Sequence, residues 1–160
     1  MKSKVLSAVA AMLLTTATIA ITAASAHADM AQTQIRSFAS GYCLENVNGS
    51  PTTDSCGVRI AGQRWHIYGV GGQYAYIKSE TTGECVTVHS SFGYGWTDLE
   101  TCRFVASQYF TWKGSHTYYG GNMFWNPHFN MCLDSGQSSL VFPGQCGDGN
   151  AWQNWQLTVL

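Results

Sequence analysis

The chain is predicted to fold as an all-β domain assembled from three copies of one unit, and three observations predict it. The triplets Gln63-Arg64-Trp65, Gln108-Tyr109-Phe110 and Gln153-Asn154-Trp155 recur at a constant step of 45 residues. Each glutamine follows a cysteine by 7, 6 and 7 residues (Cys56, Cys102, Cys146), and each of those cysteines follows an earlier one (Cys43, Cys85, Cys132). Helical periodicity is absent beyond the N-terminal segment, while turn pairs such as Asn48-Gly49, Thr82-Gly83 and Ser135-Gly136 punctuate short apolar runs. Repetition at this period, with turn chemistry at this density, specifies small β-units that complete one another's core.

At the start of the chain, Lys2 and Lys4 precede an apolar run from Val5 to about Ala24, which ends in the small-x-small pattern Ala26-His27-Ala28. Residues 1–28 read as a secretory signal peptide and 29–160 as the domain; a cut after Ala26 fits nearly as well, and an uncleaved anchor is the rival reading. No later stretch approaches the ~20 apolar residues that span a bilayer. The three units run roughly 33–73, 74–119 and 120–160. An apolar residue stands eight positions before each leading cysteine (Ile35, Ile77, Phe124), another directly after it (Leu44, Val86, Leu133), and a third two residues beyond each Gln-x-aromatic ring (Ile67, Trp112, Leu157). Trp65 with Ile67, Phe110 with Trp112 and Trp155 with Leu157 keep the i, i+2 spacing that puts both side chains on one face of a strand. Pro51, Pro127 and Pro143 are each expected in or near a loop.

Loss of Lys2 and Lys4 with the signal peptide leaves six basic against nine acidic side chains. Such a balance offers no basic stripe, which argues against a nucleic-acid partner. All six cysteines lie in the exported part, in an oxidising compartment. The repeat selects pairing within units: Cys43–Cys56, Cys85–Cys102 and Cys132–Cys146 enclose 12, 16 and 13 residues. A loop of that size contributes ~3 kcal/mol in the chain-entropy model. No Cys-x-x-Cys pair or Cys/His cluster has zinc spacing, so neither metal nor cofactor is implied.

The unit Cys-Leu-(Asp/Glu)…Cys…Gln-x-Trp, present as CLEN…C…QRW, CVTV…C…QYF and CLDS…C…QNW, resembles the ricin-B-type lectins, a β-trefoil family. The likeness covers about Ile35 to Leu160. It implies four short strands per unit, pseudo-threefold symmetry, and a mainly architectural Gln-x-aromatic whose ring fills the shared core. Trp65, Phe110 and Trp155, with Gln63 and Gln108, are assigned that structural role.

The resemblance also implies one sugar pocket per unit. A carboxylate two residues after the leading cysteine would accept hydrogen bonds from vicinal hydroxyls, and a ring before the second cysteine would stack on the C–H face of a pyranose. The third unit matches best, with Asp134, Phe142 and, near the family's asparagine slot, Asn150 beside Gln153. The slot itself holds Trp152 there, Gly62 in the first unit and Ser107 in the second. The second unit has Thr87 in place of the carboxylate, and Tyr94, Trp96 and Asp98 at spacings that are not the family's. The first unit has Glu45, with no ring between Ser50 and Ser55. Blander readings stand beside these. Asp134 could simply close the Ser135-Gly136 turn, and Phe142 could belong to the core. Tyr94 and Trp96 sit in a Gly-rich stretch read as a surface loop, and Tyr118 with Tyr119 form a second possible platform.

Catalysis finds no motif. His66, His89, His116 and His128 lie in no HExxH helix and beside no Gly-x-Ser-x-Gly elbow, and no carboxylate pair is nominated for glycoside hydrolysis. The sequence is therefore read as a secreted, extracellular, non-enzymatic carbohydrate-binding protein without a membrane span once the signal is removed. The alternative is a trefoil that binds a protein, as a protease inhibitor or toxin accessory subunit does, with its sugar pockets lost. A disulfide-hardened protein without a defined ligand is a third possibility.

Overall fold

The computed structural model describes residues 32–70, 73–114 and 121–160, with the side chains of 112–114 left aside. The expected signal peptide, His116, Tyr118, Tyr119 and the side chain of Trp112 lie outside the described residues. No helix among the described residues is long and apolar enough to cross a membrane.

Each unit contributes four strands. The first holds β1 (Thr33–Ser37), β2 (Cys43–Val47), β3 (Ser50–Asp54) and β4 (Trp65–Gly69). The second holds β5 (Tyr74–Ser79), β6 (Cys85–Ser91), β7 (Tyr94–Glu100) and β8 (Phe110–Gly114). The third holds β9 (Asn122–Asn126), β10 (Met131–Asp134), β11 (Phe142–Gln145) and β12 (Trp155–Val159). The outer strands of the units pair in the closed antiparallel ring β1-β4-β5-β8-β9-β12, with β12 returning to β1. Closure leaves this barrel no unpaired edge. The inner pairs β2–β3, β6–β7 and β10–β11 are hairpins that cap one end. The structure is thus an all-β trefoil.

Strand period and burial agree along the barrel. In β1, Thr33, Ile35 and Ser37 face inward while Arg36 is exposed; in β4, Trp65 and Ile67 face inward. The nine repeated apolar positions Ile35, Ile77, Phe124, Leu44, Val86, Leu133, Trp65, Phe110 and Trp155 all belong to one buried cluster. Phe124 contacts Phe110 edge-on at 6.3 Å and Trp155 at 6.5 Å, which joins the second and third units at the centre. Leu157 packs against the same cluster while partly buried. The three disulfides pair within units, as the repeat requires.

A shared polar device holds hairpin to barrel. Each unit has a short 3₁₀ turn, Ala61–Gln63, Ala106–Gln108 or Ala151–Gln153, ending in the repeated glutamine. The buried glutamine amide then grips both neighbours of the second half-cystine. Gln63 Oε1 accepts from Gly57 N–H at 2.9 Å, and its Nε2 donates to Ser55 O at 2.9 Å. Gln108 does the same with Arg103 N–H and Thr101 O, at 2.9 and 3.0 Å. Gln153 repeats it with Gly147 N–H and Gln145 O, at 2.9 and 2.8 Å. Two residues on, Trp65 Nε1 donates to Leu44 O at 2.8 Å and Trp155 Nε1 to Leu133 O at 3.1 Å. Phe110 has no N–H to offer, so the second unit keeps only the ring.

Two sequence expectations are refined, one of them by correction. Pro51 and Pro143 are each the second residue of a strand, β3 and β11, next to the loop that precedes it. β11 pairs with β10 alone, while β3 pairs with β2 and adds an isolated bridge from Thr52 to Leu140 in which Pro51 O accepts from Val141 N–H, so neither proline is asked for the N–H it lacks. Trp96 and Tyr94 lie in β7, not in a surface loop; the loop is confined to the two residues Phe92 and Gly93, between the paired Ser91 and Tyr94. With φ of 51° and 84°, this pair has the positive dihedrals that two-residue hairpin turns demand, as do Asn48 and Gly49 at 53° and 84°.

Removing a glutamine side chain leaves a part-buried N–H and a part-buried C=O together without their partner. Gln63→Ala, Gln108→Ala and Gln153→Ala are each expected to destabilise by about 3 kcal/mol, read as a lower denaturant midpoint at unchanged m-value; a loss below about 1 kcal/mol would refute the clamp. Phe92 is fully exposed in a left-handed conformation that suits asparagine better. Phe92→Asn is expected to stabilise by roughly 1 kcal/mol, measured as a rise in Tm.

Candidate functional site

The residue two positions after each leading cysteine stands at one equivalent place in every cap hairpin, directly opposite a residue of the return strand. The register pairs Glu45 with Thr52, Thr87 with Asp98 and Asp134 with Phe142. Opposed residues of a ladder share a face, so each pair forms one surface position beside the glutamine clamp.

In the third unit Phe142 is 38% exposed and is therefore not a core residue. Its ring stands across the ladder from Asp134. The carboxylate is mostly buried and held at both oxygens: Oδ1 accepts from Gly136 N–H at 2.8 Å, and Oδ2 from Asn150 Nδ2 at 3.0 Å. Asp134 therefore does close the turn, and Asn150 is brought to it although the two are 16 residues apart. Asn150 also accepts from Trp152 N–H at 3.0 Å, which caps the 3₁₀ turn. Gly136, at φ 55°, lies so close beneath the ring that an added Cβ would fall 2.7 Å from Phe142 Cε1. Gln153 is 1% exposed with both amide atoms bonded to backbone. The structure thus places this expected sugar contact among the clamps with Gln63 and Gln108.

In the second unit Thr87 is buried and closes the position from inside. Its hydroxyl accepts from Gln108 Nε2 at 3.0 Å and donates to Cys85 O at 3.2 Å. The exposed chemistry lies farther along the same face of the hairpin, toward its tip. Trp96 stacks on His89 at 5.0 Å with planes 11° apart. Its Nε1 donates to Asp98 Oδ2 at 3.0 Å, and His89 Nε2 lies 3.3 Å from Glu100 Oε1. Tyr94 stands beyond them, 80% exposed. Tyr94, Trp96 and Asp98 do share a face, through strand alternation. His89 is in β6 directly opposite Trp96.

In the first unit Glu45 Oε2 accepts from Gln63 Nε2 at 3.0 Å, and the residue opposite is Thr52, which brings no ring. The 3₁₀ turn presses close here. A Cβ on Gly62 would lie 2.9 Å from Asn46 O and 3.2 Å from Glu45 Cγ.

Sequence reasoning missed one cluster on the barrel wall. Tyr68 and Tyr76 stack at 5.4 Å across β4 and β5, Phe104 meets Tyr76 edge-on at 5.4 Å, and Tyr74 meets Tyr109 at 5.9 Å. Lys78 Nζ lies 5.4 Å from the Tyr68 ring centre. The outward phase of Tyr68, Tyr74 and Tyr76 was a usable signal; the cross-strand pairing that assembles them was not. Among the described residues no group of three or more His, Cys, Asp or Glu side chains is arranged to hold a metal ion.

The sequence model described as the ricin-type β-trefoil lectin domain matches residues 31–155. No curated protein matches the chain. Among solved structures, the designed threefold-symmetric protein ThreeFoil superposes with a TM-score of 0.71 at 17% identity, covering 81% of this chain and 99% of its own. The BEL β-trefoil gives 0.70 at 12% identity, covering 83% and 95%. A GlcNAcα1-4Gal-releasing endo-β-galactosidase from Clostridium perfringens gives 0.69 at 18% identity, covering 81% of this chain but 32% of the enzyme.

The close approach at Gly62 yields a direct test. Gly62→Asn, which would restore the family's asparagine in the first unit, is expected to destabilise by about 1–3 kcal/mol through overpacking against Asn46 O. Thermal unfolding of this variant beside wild type checks it; an unchanged Tm would contradict the packing described.

Proposed function

The chain belongs to the ricin-type β-trefoil lectin family, and on that footing we propose that it is a secreted, non-catalytic protein that binds glycans, with its best site in the third unit. The observation that carries this reading is the partly exposed Phe142 ring directly across the ladder from Asp134. A pyranose has a C–H face and a hydroxyl edge, and a ring beside a fixed carboxylate answers both. A carboxylate has about four acceptor positions, and the Gly136 and Asn150 donors engage one oxygen each, so capacity remains for sugar hydroxyls. Holding both oxygens also fixes the acceptor geometry in advance, which is how a site discriminates hydroxyl stereochemistry.

The Trp96–Asp98 face of the second unit ranks next, and Glu45, without a ring, ranks last. Each site is shallow and would be weak alone. Engagement of several on a polymeric glycan would raise apparent affinity through effective concentration. Three disulfides suit an oxidising, extracellular setting. A second reading, docking of a protein, is favoured by one observation: Phe92 at 100% and Tyr94 at 80% exposure project from the tip of a hairpin whose sugar position is closed by Thr87.

A glycan array with purified protein separates the two. Galactose-containing glycans are the first probes, because the similar endo-β-galactosidase acts on them. Phe142→Ala and Asp134→Asn are each expected to lower affinity for the best glycan at least about tenfold, or ~1.4 kcal/mol, with Tm and circular dichroism confirming the fold. An array without hits, together with stoichiometric capture of one protein that Phe92→Asn abolishes, would replace the lectin reading with the second.

A further inference from the structure

We propose that the crevice between the first and third units is a second sugar subsite, continuous with the Asp134–Phe142 position, so that the ligand is a neutral oligosaccharide of at least two residues. This rests on the reading of the third unit as a sugar site and adds a length requirement to it.

The crevice is lined by Tyr42 and Trp152 together with Ser40, Thr53, Gly136 and Gln137 and the Ser138-Ser139 pair. Tyr42 is 47% exposed and Trp152 is half-buried. All its lining residues are uncharged: two rings, hydroxyls and one amide. That chemistry suits a neutral, hydroxyl-rich ligand and offers an ionic one no counter-charge. Its volume is about 70 Å³. A cavity of roughly 150 Å³ is needed to enclose a benzene ring. The crevice therefore takes an edge or one substituent of a pyranose, such as a hydroxymethyl or acetamido group, and leaves the ring outside.

Two residues tie it to the neighbouring site. Gly136 lines the crevice, donates its N–H to Asp134 Oδ1 and underlies the Phe142 ring. Asn150 donates to Asp134 Oδ2 and accepts from Trp152 N–H, so one amide positions both the carboxylate and the crevice wall. The crevice is braced across the two units: buried Ser135 Oγ meets buried Ser37 Oγ at 2.7 Å and also donates to Trp152 O at 3.0 Å. A sugar seated on Phe142 thus has its neighbour in the chain directed over Gly136 into a braced cleft, where little ordering remains to oppose binding.

Calorimetry with a monosaccharide and its linear di- and trisaccharides, taken from the neutral glycan that scores best on the array, tests this. The disaccharide is expected to bind at least about tenfold tighter than the monosaccharide, and Trp152→Ala, Tyr42→Ala and the milder variant Gln137→Ala to remove most of that gain. Equal affinity for mono- and disaccharide, or a gain kept intact in all three variants, would overturn the subsite while leaving the third-unit reading standing. Absence of binding to any neutral glycan would remove both.

Discussion

Everything in this trefoil depends on one buried side-chain amide per unit. Each repeated glutamine bonds the carbonyl before and the N–H after a half-cystine, and so pins the end of the cap hairpin to the 3₁₀ turn that launches the next barrel strand. The disulfide anchors that half-cystine to the start of the same hairpin. Covalent bond and amide together make a rigid corner, and two residues later the chain drops an aromatic ring into the core. A glutamine is needed because only a primary amide on that stem supplies a donor and an acceptor from one planar group. Burial makes the requirement strict, since an orphaned partner away from water costs more than a bond contributes.

The same corner explains why the surface positions could diverge while the core did not. The residue two after the leading cysteine lies against the clamp, so its side chain serves the scaffold, a ligand, or both. In the second unit Thr87 is drawn fully into the scaffold by Gln108. In the first, Glu45 is shared with Gln63. In the third, Asn150 takes over the contact and Asp134 is held by a group outside the clamp. Nine apolar positions meet in one cluster and must fit one another. The cap positions answer only to their own unit, and each is satisfied in a different way.

This contrast also sets what was legible in the sequence. Closed-barrel architecture and disulfide pairing could be read, because both are expressed as spacings along the chain that repeat in step. Trp65, Phe110 and Trp155 carried that signal directly. The outer face of the second hairpin was legible only in part: Tyr94, Trp96 and Asp98 stood out, but Tyr94 and Trp96 were read as residues of a loop. His89 was missed as their partner because the β6–β7 register, invisible in spacing alone, puts it opposite Trp96. Gln153 was read as a sugar contact while its sisters Gln63 and Gln108 were assigned to the scaffold; its amide makes the same clamp as theirs. Tyr42 and Trp152, far apart in the chain, gave no sign that they line one crevice.

That crevice follows from where the barrel closes. The ring of strands is completed when β12 returns to β1, so the first and third units meet across a seam that joins the beginning of the fold to its end. Above the seam, Phe38 N–H donates to Asn154 O and Ser37 meets Ser135, drawing the 38–42 turn toward the loop that follows β10. Between the second and third caps one approach is especially close: a Cβ on Gly95 would fall 2.5 Å from Pro143 Cγ. Threefold symmetry alone would make these boundaries equivalent. They differ because Gly95 and Pro143 let two hairpins meet backbone to ring, while the first and third caps are joined by backbone bonds, Thr53 N–H to Ser139 O at 2.7 Å and Val141 N–H to Pro51 O at 3.2 Å, with Tyr42 and Trp152 lining the crevice beside them. A repeated scaffold thus acquires one distinct interface through a few side chains at a seam, with no change to the nine positions that hold the core.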